Sequence, residues 1–225
     1  MGKKDAEDKR TERHFSEEVR HWTKQERVAT MFLSMPGPGA ERTRGNNGAW
    51  NGLDRRRHEM NVSQIMCKMI AYFQGNHHDI NHLMKVYAYA RTIGVCEGVS
   101  RREQEIIEIA AILHDIACPL CREKYGNTNG KYQEKEGAVL AREFLADCGL
   151  PEDMAERIVY LVGHHHTLTD VDGMDYQILI EADYLVNADE SHYSQENIRH
   201  TMETVFRTAT GTSLLQSAFL DFSIP

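Results

Sequence analysis

From residue 61 onward, apolar residues recur at helical spacing, with no convincing alternating stretch that would mark a strand. VSQIMCKMIAYFQ predicts a first helix, and Asn81 to about Ile93 a second, with Leu83, Val86, Tyr87 and Ala90 on one face. Gly94 is placed as its stop. Ser100 followed by Glu103 reads as a capping box opening a third helix, REQEIIEIAAILHDIA, whose Ile106, Ile109, Ala110 and Leu113 predict deep burial. The Pro, Gly and Asn content of 118–132 predicts a loop. Further helices are expected over about 133–148, 151–163 and 175–188, with Pro151 in a first turn, and one or two more before the end. The fold class expected is all-α, a single-domain helical bundle.

Residues 1–59 break this pattern. They are charged, rich in Gly and Arg, and carry only a weak helical signal around 16–33, so a disordered or loosely attached extension is expected before a domain at 60–225. Charge divides the same way. The first 59 residues carry 13 Lys/Arg and 10 Asp/Glu, whereas the remainder carries 13 and 24. An acidic body argues against general nucleic-acid binding but not against a small anionic substrate, because a bound cation inverts the local field. No apolar run approaches a membrane span and no secretory leader opens the chain, so no membrane association and a cytoplasmic location are expected. Five cysteines, at 67, 96, 118, 121 and 148, make no disulfide framework. Cys118-Pro-Leu-Cys121 lacks the second ligand pair of a zinc knuckle.

Candidate chemistry lies on separate apolar helices: His82, the adjacent pair His114-Asp115 in AAILHDIA, and Asp183 in ILIEADYLVN. Ionisable groups in such settings are rarely buried without a partner or a metal, and facing helices of a bundle commonly assemble metal sites.

The segments NHLMKVYAYARTIG, EIAAILHDIA and IEADYLVN resemble the HD superfamily of metal-dependent phosphohydrolases, over roughly 60–205. The resemblance implies an HD-type helical domain in which His82, His114, Asp115 and Asp183 hold a divalent ion, with His114 and Asp115 catalytic and Asp115 orienting a water. Two imidazoles and two carboxylates suit Mn, Fe, Co, Ni, Zn or Mg. Such an ion activates water and polarises a phosphoryl oxygen.

His164-His165-His166 resembles the region that holds a second ion in binuclear members. Successive helical residues point about 100° apart, so His164 and His165 are favoured as the inward pair. Binuclear relatives often carry another His before these, and GKYQEKEGAVLAREFL has none; Glu134 or Glu136 are the candidate substitutes. The Gly-Tyr-Pro signature of the cyclic-dinucleotide branch is absent, and HDIACPLC lacks the acidic residues expected of guanosine-tetraphosphate hydrolases. Lys85, Arg122, Lys124 and Lys131 are candidates to bind a phosphate. The function expected is hydrolysis of a phosphate ester in a nucleotide or another small phosphorylated metabolite, with one or two ions and a possible homodimer. The alternative is a metal- and nucleotide-binding sensor with little turnover, which would use the same residues.

Overall fold

A computed structural model describes residues 59–220. The extension expected over 1–59 lies, apart from Glu59, outside the described residues. The described chain is all-helical: α1 Val62–Phe73, α2 His77–Glu97, α3 Arg101–Leu113, α4 Cys118–Tyr125, α5 Gly130–Leu145, α6 Glu152–Val162, α7 Met174–Glu190, α8 Gln195–Thr204 and α9 Ala209–Phe219. None of these helices is long and apolar enough to cross a membrane.

Local chemistry sets the ends of these helices. Asn61 and Gln64 form a reciprocal capping box on α1, and the Ser100 hydroxyl accepts the Glu103 N–H at the start of α3. α2 begins earlier than periodicity suggests, at His77, because the Asn76 side chain accepts the Asp79 N–H. It also runs past Gly94 to a left-handed cap at Gly98.

The expected loop over 118–132 is corrected. Its first part is α4, with Pro119 in the first turn, where a missing N–H costs nothing, and Gly126 in the left-handed conformation just past the end. The same Pro and Gly that read as loop residues are therefore helix ends. α3 stops at Leu113 instead of continuing to 117, and His114–Ala117 form a turn closed by the Ile116 N–H to the Leu113 carbonyl and the Cys118 N–H to the Asp115 carbonyl.

The core explains how the helices are arranged. Every residue of α3 from Ile106 to Leu113 is buried, and α7 is buried on nearly all faces. Each packs against α2 and against the other, and α3 also packs on α1 and α6. Truncating a side chain such as the fully buried Ile107 to Ala would cost about 2–5 kcal/mol. Glu181 of α7, with no exposed surface, ties the last two helices to this core by accepting the N–H groups of Arg207 and Thr208 and the Gln177 amide. With α2, α3 and α7 fixed side by side, the ionisable residues they carry are forced into one place.

Candidate metal centre

Two helices and two helix-ending turns deliver the site. His82 lies in the second turn of α2, and Asp183 lies midway along α7. His114-Asp115 and His164–His166 lie in the turns just after α3 and α6. The last carbonyls of a helix lack intrahelical donors, and histidines placed there can satisfy them. His114 Nδ1 meets the Ala111 carbonyl at 2.8 Å, and His165 Nδ1 meets the Val162 carbonyl at 2.9 Å. His82 Nδ1 meets a carboxylate instead, Glu190 Oε2 at 2.8 Å.

Carbonyls and ionised carboxylates only accept hydrogen bonds, so in each ring Nδ1 carries the proton. A neutral ring then presents a lone pair at Nε2, and these nitrogens converge. His82 Nε2 and His114 Nε2 stand 3.2 Å apart. Asp183 Oδ1 lies 3.3 Å from the first and 3.4 Å from the second. Asp115 Oδ2 lies 3.5 and 3.7 Å from the same two atoms. The other Asp115 oxygen, Oδ1, is 3.6 Å from His165 Nε2, a buried atom with no hydrogen-bond partner.

Lone pairs and carboxylate oxygens facing one another at these distances repel unless positive charge lies among them. The protonation equilibria carry the same mark. Burial lowers the His82 pKa, but the carboxylates of Asp183, Asp115 and Glu190 outweigh it and raise the value to about 9. Burial raises the Asp183 pKa, yet His114 and His82 hold it well below the usual carboxylate range. Asp115 is lowered in the same way, His114 and His165 overcoming its burial. A divalent cation answers this demand, and a mixed nitrogen and oxygen donor set suits one. Two overlapping groups could hold an ion, His82–His114–Asp115 and Asp115–His165–His166, with ligand atoms within 4.8 Å of one another in each. Asp115 belongs to both.

The structure treats the remaining candidates unequally. It pairs His165 with His166, not with His164. The helix has already ended, so the 100° step no longer applies. The His164 ring stacks on Tyr160 at 4.1 Å, and its Nδ1 bonds the Tyr160 carbonyl. Glu134 is outside both groups: it accepts the His166 N–H at 3.1 Å and the Thr167 hydroxyl at 2.9 Å, and so holds the histidine turn. Glu136 is also outside them and pairs with Lys124 and the Tyr125 hydroxyl.

The expected phosphate-binding cations are mostly engaged. Lys85 pairs with Glu190, Lys124 with Glu136, and Arg122 with the buried Asp79. Lys131 is exposed and has no ion pair among the described residues. Sequence reasoning passed over Glu190. The available signal was its spacing, seven residues after Asp183 and hence two turns along the same face of α7.

The HD domain family model matches residues 79–194, a span that contains His82, His114-Asp115, the three histidines, Asp183 and Glu190. Among curated proteins none matches the chain. Among solved structures, a predicted HD superfamily hydrolase from an uncultured Thermotogales bacterium is 23% identical, with a TM-score of 0.48, over 69% of this chain and 82% of that one. With the family model covering more than half of its length, the chain belongs to the HD-domain family.

Proposed function

We propose that the protein is a metal-dependent phosphohydrolase acting on a phosphate ester of a nucleotide or a similar small metabolite. The observation that carries this reading is the convergence of three imidazole Nε2 atoms on two carboxylates, Asp115 and Asp183, that their surroundings keep ionised. His82, His114, Asp115 and Asp183 would hold one divalent ion, and Asp115, His165 and His166 a second. A bound ion supplies an activated water and charge to stabilise the phosphoryl transition state.

The chain's own groups do the rest. Main-chain carbonyls fix the ring orientations of His114 and His165, so little reorganisation is needed when substrate arrives. Asp115 has oxygens directed to both groups, and its carboxylate can accept a proton at Oδ1 or Oδ2 from an attacking water. Asn187 donates to Asp183 Oδ1 at 2.8 Å and holds that carboxylate in place. Lys131 is the cation most available to a phosphate. In the same reading, residues 60–225 form the catalytic domain and 1–59 an extension to it.

The test is phosphate release from a panel of nucleotides and sugar phosphates, with Mn2+, Co2+ or Mg2+ added and with chelator. Release that requires the ion and disappears in Asp115→Ala supports the proposal. Full metal content and activity in both His114→Ala and Asp115→Ala would overturn it.

A further inference from the structure

We infer that Glu190 is a positioning residue that sets the proton and orientation of His82 and thereby the affinity of the centre for its ion; this rests on the metal-dependent reading above. Three observations support it. First, the three inward-facing rings with a bonded Nδ1 are not held alike. His114 and His165 donate to neutral carbonyls, whereas His82 donates to a carboxylate at 2.8 Å. A charged acceptor strengthens the hydrogen bond and makes the opposite nitrogen a better electron-pair donor. Of the three, His82 is the ring tuned by charge.

Second, Glu190 lies on the far side of the imidazole from the cluster. Its contact is with Nδ1, while Nε2 faces His114, Asp115 and Asp183. It orients a ligand and is not placed to be one. Its second oxygen is fixed by Lys85 Nζ at 3.1 Å, so the carboxylate is held from both ends.

Third, its place in the helix runs against local preference. Glu190 is the last residue of α7, whose last turn has no basic residue. A negative charge there opposes the helix dipole. Lys85 and His82 compensate for that cost across the interface with α2. One face of α7 thus carries both a carboxylate for the ion, Asp183, and a carboxylate for the ligand opposite it. The spacing of two turns lets both reach the same imidazole ring from opposite edges.

The experiment is calorimetric titration of the metal-free full-length protein with Mn2+, repeated with Co2+ while its visible spectrum is followed. Glu190→Leu is expected to weaken binding about 100-fold and to alter the Co2+ spectrum at saturation. Glu190→Gln keeps an acceptor for Nδ1–H without the charge, and is expected to recover part of the loss, with binding about tenfold weaker than wild type. Asp189→Asn, which removes a neighbouring charge that also faces Lys85 at 3.6 Å, is expected to bind as wild type does. This graded order is not the signature of a fold defect. Glu190 variants that bind as tightly as wild type, while His82→Ala loses the ion, would overturn this inference and leave the hydrolase reading standing. A wild-type protein that takes up neither ion would overturn both.

Discussion

Helices α2 and α3 cross two buried polar clusters, and the two are opposite in kind. In one, Glu108 is only 3% exposed yet fully answered: Arg91 Nη1 reaches it at 2.6 Å, the Gln104 amide at 3.0 Å and the Tyr87 hydroxyl at 3.3 Å. Donors meet an acceptor, and the charges sum to zero. The other cluster begins at His82, roughly 13 Å along α2 from Arg91, and there acceptors meet acceptors. A cavity of about 730 Å3 lies over the first cluster, its lining including Tyr87, Arg91, Gln104 and Glu108 and none of the metal-centre candidates. Burial of charge and the presence of a cavity therefore both fail to single out the functional end. Charge complementarity does: Gln104 Oε1 in the first cluster and His165 Nε2 in the second are both buried without a hydrogen-bond partner, but the first cluster balances its charge within itself, whereas a binding centre leaves a deficit that a ligand must fill.

The sharpest way to break this comparison is to remove one group from each cluster. Asp183→Ala should remove the ion held with His82, His114 and Asp115 and lower phosphate release at least ~100-fold, measured by metal analysis and steady-state assay. Glu108→Ala should leave metal content and turnover as they are. Equal loss of metal in both variants would erase the distinction.

The histidine turn offers a finer cut. His165→Ala should lower turnover and reduce the metal bound per chain by up to one ion, while His164→Ala keeps both. Metal analysis and kinetics on the two variants check this, and the reverse order would restore His164 as the inward residue.

Acidity separates the clusters without mutation. In the metal-free protein, His82 titrates near 9 when folded and near 6.5 when unfolded. The stability it contributes is complete below about pH 6.5 and is lost as pH rises through about 9. Thermal melts of metal-free protein should therefore show a falling midpoint between about pH 6.5 and 9. With an ion in place of the proton that fall should vanish, and metal affinity should rise over the same range. A metal-free midpoint flat across this window would contradict the repulsion argued for the centre.

The smallest effect expected is on stability alone. Glu108→Ala forfeits the buried hydrogen bonds from Tyr87 and Gln104, roughly 1–2 kcal/mol, readable by urea denaturation.

Much of the fold was legible because it is driven by apolar periodicity. Ile106 through Leu113 announced a buried helix, and Asp183 among Ile180, Leu185 and Val186 announced another. Residues 118–125 misled because Pro and Gly mark helix ends as readily as loops, and only the chain's path decides which. The choice between His164 and His166 was not legible for a related reason. It assumed a helix where Gly163 had already ended one, and one residue of register at such a turn reverses which ring faces inward. The setting of Lys85 was not legible either, since its partner Glu190 lies 105 residues away in the chain.

The amino-acid sequence by itself determined an all-helical domain with His82 and Asp183 on apolar helices and His114-Asp115 at the end of one, because burial of a periodic face is a local property that the order of residues records. Only the tertiary structure decided that Asp115 faces two groups, that His166 joins His165, that Glu134 and Glu136 are spent on other partners, and that Glu190 stands behind His82. Each of those depends on which helices lie side by side and how they are rotated. The close packing of α2, α3 and α7 sets these relations, and no segment read alone contains them.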